Sequence, residues 1–119
     1  PLIVEDIMKI IQESKALKIY VCNIATQKGE SDNYTVGDHI NAIKKHIHKN
    51  IFDYVLVDDD FHSPITSHNE ERVKLSEKDL LNPKIVKFDV KSEEHAMRHD
   101  SKKLSNSIIK LYNQWIKNK

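Results

Sequence analysis

The sequence predicts an α/β fold with a mostly parallel sheet. Three short, apolar, β-prone runs alternate with amphipathic helical stretches along the 119 residues, a pattern typical of parallel strands joined by right-handed crossovers. The chain has only two glycines, which leaves few of the tight turns that an all-β fold requires. The length suits one domain, and we interpret residues 1–119 as a single unit.

The first half of the chain predicts a helix, a strand and a second helix. Apolar residues recur at helical spacing over 4–14, and the run at 18–22 is typical of a buried strand. A polar loop is predicted at 23–34. The second helix begins at Thr35, where Asp38 completes an approximate capping box, and it ends near residue 49 or 50.

The second half repeats this alternation. Its strands are bounded by polar or proline-containing stretches, and its last helix is capped by Asp100 or Ser101. The predicted elements are a strand at 52–57, a loop at 61–71, an extended piece at 72–75, a helix at 76–81, a strand at 84–88, a polar loop to residue 98 and a helix through residue 116.

Composition excludes several classes of function. The formal net charge is +1, with lysines interleaved among acids, so we expect neither a nucleic acid nor a membrane surface as a partner. The single cysteine, Cys22, forms no intramolecular disulfide and favours a cytoplasmic location. The seven histidines match no zinc spacing, so no metal site is predicted from them. Because apolar periodicity begins directly after Pro1, without Met, we expect a part of a longer protein.

Three polar loops should meet at one edge of the predicted sheet. They follow the three strands and cover residues 23–34, 58–71 and 89–100. Ligands of open parallel sheets bind beyond the carboxyl ends of the strands, often at helix N-termini. This edge is therefore the predicted ligand site.

The first loop carries a family signature. Residues 20–34 read YVCNIATQKGESDNY, and Asp38-His39 follow on the next helix. This segment resembles the gluconeogenesis-factor (YvcK/CofD-like) family, whose pattern is Cys-Asn, Thr-Gln-x-Gly-Glu-Thr/Ser, an aromatic residue and then Asp-His. Arg98-His99-Asp100 resembles the family's Arg-His-Asp before the last helix.

The resemblance implies the C-terminal portion of a larger, Rossmann-like three-layer αβα domain, related to 2-phospho-L-lactate transferase. It implies a nucleotide-linked ligand, either a UDP-sugar or an NAD-type dinucleotide, and roles in carbon metabolism and cell-wall or cell-shape homeostasis. The N-terminal half of the same protein, with a Gly-rich phosphate loop, would be the partner that completes the site. The acidic run at 58–60 departs from the family pattern, which has a small turn there and a later Tyr.

The predicted ligand-binding residues lie in the first and third loops. They are Asn23, Thr26, Gln27, Gly29, Glu30, Tyr34, Arg98 and His99. Each has an alternative role. Asn23, Thr26 and Gln27 could satisfy hydrogen bonds within their own loop, and Glu30 could be a solvated surface residue. Gly29 could serve an ordinary turn, and Tyr34 could pack as a hydrophobic staple. Arg98 could form an ion pair with Glu93, Glu94 or Asp100.

Candidates for catalysis, metal binding and regulation are fewer. Glu30, Asp38 and His39 are the acid–base candidates, although the sequence favours service at the helix N-terminus for Asp38. The aspartates at 58–60 could hold Mg²⁺ beside a diphosphate or form a solvated turn. Ser101 is a candidate regulatory phosphorylation site, since a phosphate there would meet the helix dipole.

Three functional hypotheses follow. The first is a regulatory module that binds a nucleotide sugar or dinucleotide, and the second is a transferase that moves a phosphorylated group from a nucleotide diphosphate. The third is self-association, because an incomplete parallel sheet leaves a free edge. We therefore also expect a homo-oligomer.

Overall fold

Three parallel strands form the centre of the structure, a computed structural model that describes residues 2–27, 35–47, 51–60, 70–94 and 98–119. The elements are α1 (Leu2–Glu13), β1 (Ile19–Val21), β2 (Ala25–Gln27), α2 (Val36–Ile47), β3 (Tyr54–Asp58), β4 (Glu70–Arg72), α3 (Glu77–Leu81), β5 (Ile85–Phe88) and α4 (Ser101–Lys117). Among the helices of these ranges, none combines the length and the apolarity needed to cross a bilayer.

The main sheet has the order β1-β3-β5 and is parallel throughout. Ile19 lies opposite Tyr54, and Val55 lies opposite Ile85. A helix lies in each connection between neighbouring strands, as parallel pairing requires. The predicted α/β class with a parallel sheet is thus confirmed.

Both faces of this sheet are covered, which gives three layers. Successive side chains of a strand point to opposite faces, so Val55 and Val57 join one buried cluster while Leu56 joins the other. The first cluster includes Val36 and Ile40 of α2. The second includes Leu111 of α4, with Leu104 and Ile108 packed against it. The apolar stripes predicted for these two helices are the faces that they bury.

Two predicted loops contain strands instead. β2 lies within the predicted loop at 23–34 and pairs antiparallel with β4, which occupies the end of the predicted loop at 61–71. The extended piece predicted at 72–75 is displaced, since β4 ends at Arg72 and Lys74 then forms an isolated bridge to Thr35. The prediction was wrong because these strands pair residues far apart in the sequence and carry no apolar alternation, which is the signal that marks a half-buried strand.

The predicted helix starts are confirmed by their caps. Thr35 and Asp38 form a reciprocal capping box, with N–O distances of 2.9 and 3.2 Å. Ser76 forms the same arrangement with Asp79 at the start of α3. Of the two residues considered for α4, Asp100 is the cap, and its carboxylate accepts from the backbone N–H of Lys103 at 2.9 Å.

Gly37 allows α2 and α3 to approach closely. A Cβ atom at this position would overlap the Oδ1 atom of Asp79, and the Asp79 carboxylate is buried and engaged in the cap of α3. Neither group moves freely, because Asp79 accepts from the backbone N–H of Ser76 at 2.9 Å.

We expect Gly37→Ala to lower the free energy of unfolding by about 1–3 kcal/mol, the usual cost of overfilling a packed site. Urea denaturation measures the change. Asn41→Ala is the control, since Asn41 is exposed on the same helix and its replacement should shift stability by no more than about 0.5 kcal/mol. A Gly37→Ala protein as stable as the Asn41→Ala protein would contradict the close contact.

Candidate functional site

The three parallel strands end together at one edge, which we call the carboxyl edge. The ladder continues past β1, where the N–H of Cys22 donates to the Leu56 carbonyl at 2.9 Å. It also continues past β3, where the N–H of Asp59 donates to the Phe88 carbonyl at 3.0 Å. The segments that begin at Asn23, Asp59 and Asp89 therefore leave the sheet side by side, as the parallel topology predicts.

Asp58, the last residue of β3, fastens two of these segments. Its side chain is only 4% exposed. Oδ1 accepts from the backbone N–H groups of Val90 at 3.0 Å and Lys91 at 3.1 Å, and Oδ2 accepts from Asp60 at 3.1 Å. The expected solvated acidic turn is therefore wrong for Asp58, because the segment after β5 covers it and supplies two of its three donors.

A chain of polar contacts extends from this point across the edge. The Lys91 ammonium forms an ion pair with the Asp60 carboxylate at 3.2 Å, and the Arg72 guanidinium donates to the Asp60 carbonyl at 2.7 Å. Burial disfavours the charged form of Lys91, but the hydrogen bond to Asp60 and the charges of the surrounding carboxylates together raise its pKa. Lys91 is therefore a firmly protonated cation at this edge. Sequence reasoning missed both basic residues, which belong to no recognised motif.

A small cavity opens beside Asn23. Its volume is about 10 Å³, and Asp58, Asp60 and Arg72 contribute to its wall. That is room for about one water molecule. Cys22 also lines it. Burial, with a further contribution from the charge of Asp79, raises the pKa of the Cys22 thiol to about 12, so this side chain is a neutral wall and not a nucleophile.

Arg98 and His99 reach the carboxyl edge through the segment after β5. His99 forms an antiparallel bridge with Lys91, and the Arg98 carbonyl accepts from the N–H of Ser92 at 2.7 Å. The Arg98 side chain is exposed. Among the described residues it forms no ion pair, so the predicted alternative of pairing with Glu93, Glu94 or Asp100 does not occur there. The His99 Nε2 atom is buried without a hydrogen-bond partner.

The structure describes the other predicted ligand residues less completely. Asn23 is exposed at the carboxyl edge, and the backbones of Thr26 and Gln27 belong to β2. Three predicted residues lie outside the ranges that the structure describes: Gly29, Glu30 and Tyr34. The structure thus brings Asn23 and the Arg98–His99 pair to the same edge.

Asp38 and His39 occupy the first turn of α2. The Asp38 carboxylate accepts from the N–H of Thr35, which accounts for this residue as a helix cap. Burial lowers the pKa of the His39 imidazole below its ordinary value, and the charge of Asp38 offsets part of this effect. His39 is therefore neutral near pH 7, the form in which an imidazole accepts a proton.

Three carboxylates approach one another at the carboxyl edge. Oxygens of Asp58, Asp59 and Asp89 lie within 4.8 Å of one another. Both oxygens of Asp58 are already engaged by backbone N–H groups. The arrangement is explained by these hydrogen bonds, and it supports no magnesium proposal.

An open cleft of about 540 Å³ lies at the start of α4. Its walls come from the segment after β5 and from the first turns of α4, and they include Ser92, Glu93, Lys102 and Lys103. Lys103 links α4 to the segment after β5, since its ammonium lies 3.2 Å from the Asp89 carboxylate. Ser101, the predicted regulatory residue, is exposed at the first position of this helix.

Comparison with known proteins finds relatives whose sequences match nearly the whole chain. A gluconeogenesis-factor relative from Clostridium acetobutylicum is 36% identical over 116 residues, which is 91% of this chain and 26% of the relative. The gluconeogenesis factor of Halalkalibacterium halodurans is 34% identical, over 91% of this chain and 36% of its own length. The chain therefore spans about a quarter to a third of these relatives.

A solved structure agrees with the fold. The crystal structure of a UPF0052-family protein from Bacillus halodurans superposes with a TM-score of 0.74 and 33% identity, over 91% of this chain and 37% of that protein. The family model described as 2-phospho-L-lactate transferase CofD matches residues 1–113. The sequence resemblance and the Rossmann-like α/β fold are thus confirmed, and the chain belongs to the CofD family, among its gluconeogenesis-factor relatives.

Proposed function

We propose that this protein is a regulatory module of carbon metabolism that binds a nucleotide-linked ligand, a nucleotide sugar or a dinucleotide, at the carboxyl edge. The relatives named gluconeogenesis factor support the metabolic assignment. The parallel sheet supports the location, because ligands of such folds bind beyond the carboxyl ends of the strands.

The observation that carries the proposal is the anchoring of the carboxyl edge by Asp58. Its carboxylate fixes the backbone at Val90 and Lys91, and the bridge from Lys91 to His99 holds Arg98 nearby. A guanidinium held just before a helix N-terminus suits an anionic group such as a diphosphate.

The dimensions of this edge are consistent with a proposed site to which the chain contributes only part of the walls. The cavity beside Asn23 has room for about one water molecule. The cleft at the start of α4 has a volume comparable to that of a small-ligand site, but it is open to solvent. Residues from the rest of the family's chain, including a phosphate loop, would enclose the ligand. Binding to the 119 residues alone should accordingly be weak.

Titration of the isotope-labelled protein with UDP-N-acetylglucosamine or NAD tests the location. We expect chemical-shift changes at the backbone amides of Asn23, Lys91 and Arg98, with a Kd of about 1 mM or weaker. Arg98→Ala should weaken binding at least about threefold, because it removes the exposed cation. Lys110→Ala is the control, since Lys110 is exposed further along α4.

The amides of Lys18 and Lys84 lie at the opposite edge of the sheet and should not respond. Shifts centred there, or no shifts with either ligand, would contradict the proposed site. Tight binding of either ligand to this chain alone would contradict the proposal that other parts of the family's chain complete the site.

The anchoring role of Asp58 has its own test. Asp58→Ala should lower the free energy of unfolding by about 1–3 kcal/mol, because buried backbone N–H groups would lose their acceptor. Asp59→Ala is the matched control, because Asp59 is the exposed neighbouring carboxylate and should change stability by no more than about 0.5 kcal/mol. Equal urea midpoints for the two variants would show that the hydrogen bonds do not hold this edge.

A transferase is the second candidate, favoured by the family model described as 2-phospho-L-lactate transferase CofD. In that reaction type an acceptor hydroxyl attacks the distal phosphorus of a nucleoside diphosphate linked to the transferred group. The phosphoanhydride bond breaks, a nucleoside monophosphate leaves and a base takes the hydroxyl proton. His39 is neutral enough to act as such a base, and Glu30 lies outside the described residues.

Release of nucleoside monophosphate distinguishes the two functions. The assay contains this chain and the part of the H. halodurans relative that lies outside the match. The substrates are a lactyl nucleoside diphosphate, as the donor, and an acceptor alcohol. We expect no release above background. Release that falls by about 10²-fold in His39→Ala, but persists in Asp38→Asn, would instead establish transferase chemistry.

A further inference from the structure

The stretch between β5 and α4 contains two short antiparallel segments, residues 90–92 and 98–100, here called the bridged segments. The Ser92 N–H donates to the Arg98 carbonyl at 2.7 Å. A second backbone hydrogen bond, from the N–H of Asp100, closes the other end of the pair at 2.7 Å. Because the first segment holds the backbone of Arg98, whatever fixes that segment also fixes Arg98.

The Lys103 ammonium holds the first bridged segment from the α4 side. Its Nζ atom lies 3.2 Å from the Lys91 carbonyl oxygen and 3.2 Å from each carboxylate oxygen of Asp89. The Glu93 carboxylate is further away, at 3.9 Å, and its side chain is 90% exposed. Solvent screens an ion pair of that kind, so it contributes little. The contacts with Lys91 and Asp89 therefore hold the segment.

The backbone of Lys103 is itself fixed in the first turn of α4. Its N–H donates to the Asp100 carboxylate at 2.9 Å, and its carbonyl accepts from the Ser107 hydroxyl at 2.9 Å. The Lys103 side chain is only 27% exposed, so water competes only in part for its hydrogen bonds. Lys103 thus joins the capped end of α4 to the chain that leaves β5. A change of its side chain leaves the Asp100 cap in place, because the cap uses the backbone N–H.

Asp58 holds the same segment from the side of the sheet, but through different atoms. Its carboxylate accepts from the backbone N–H groups of Val90 and Lys91, whereas Lys103 donates to the Lys91 carbonyl. An ionised carboxylate is an acceptor only, so Asp58 cannot replace the donor that Lys103 supplies. The two side chains therefore fix the segment independently, one at its N–H groups and one at its carbonyl.

We propose that Lys103 is a positioning residue for Arg98 at the proposed ligand site. Its ammonium holds the first bridged segment against α4, and the hydrogen bond from Ser92 passes that position on to Arg98. The exposed guanidinium is thereby held before the N-terminus of α4, where an anionic group is favoured. Lys103 acts through Arg98 and not as a ligand contact, because protein acceptors already engage its ammonium. The inference rests on the proposed function, in which Arg98 binds the anionic group.

Amide hydrogen exchange of the ligand-free chain tests the positioning. In Lys103→Met, exchange at Ser92 should speed up at least about fivefold, because the bridged segments separate more often. Lys110→Met is the matched control, since Lys110 is exposed further along α4, and exchange at Ser92 should be unchanged in it. Lys103→Arg keeps the charge and should lie closer to the wild type than Lys103→Met does.

Three results of this exchange experiment would overturn the proposal. They are unchanged exchange at Ser92 in Lys103→Met, an equal rise in Lys110→Met, and exchange in Lys103→Arg as fast as in Lys103→Met. The last would show that the charge of Lys103 does not hold the segment. Thermal melting by circular dichroism checks that each variant is folded.

A double-mutant cycle with UDP-N-acetylglucosamine or NAD tests whether Lys103 acts through Arg98. Lys103→Met alone should raise the Kd at least about threefold, as Arg98→Ala does. The double variant should bind no more than about 1.5-fold more weakly than Arg98→Ala, because two residues that act through one contact are not additive. A further threefold loss would make Lys103 an independent contact and overturn the proposal.

The two experiments separate this inference from the proposed function. Absence of binding to the wild-type chain would overturn the proposed function, and the ligand role of Lys103 with it. Normal binding by Lys103→Met, together with unchanged exchange at Ser92, would overturn the positioning role alone.

Discussion

A buried carboxylate at the end of the central strand organises the carboxyl edge. Asp58 is the last residue of β3, and it accepts hydrogen bonds from the backbone of two separate segments. A charged group is costly to bury unless donors replace the lost water, and three backbone N–H groups do so here. The position of the segment after β5 therefore depends on this side chain. The His99 bridge and the capped start of α4 depend on that segment in turn.

The charges at this edge are largely matched among themselves. Lys91 pairs with Asp60, and Lys103 pairs with Asp89. These cations stabilise neighbouring carboxylates and are not spare groups for an anionic ligand. The exposed guanidinium of Arg98 differs, because no carboxylate of the described residues neutralises it. Attraction for a diphosphate at this edge would therefore come mainly from Arg98 and from residues that other parts of the family's chain bring.

Much of the fold could be predicted because its signals are local. The three strands of the main sheet are short apolar runs, and the caps at Thr35, Ser76 and Asp100 depend on residues three positions apart. β2 and β4 could not be predicted in this way, because Thr26 faces Glu71 across the ladder and both strands are polar. Their pairing is a property of the folded chain and leaves no periodic pattern in the sequence.

The candidate site likewise has one part that could be predicted from the sequence and one part that could not. The family signature and the parallel topology were enough to place Asn23 and Arg98 at one edge. The burial of Asp58 could not be predicted, because its donors come from Val90 and Lys91, far along the chain. An aspartate within an acidic run looks solvated until the partner segment is known. The contributions of Arg72 and Lys91 depend on the same folded contacts and were missed for that reason.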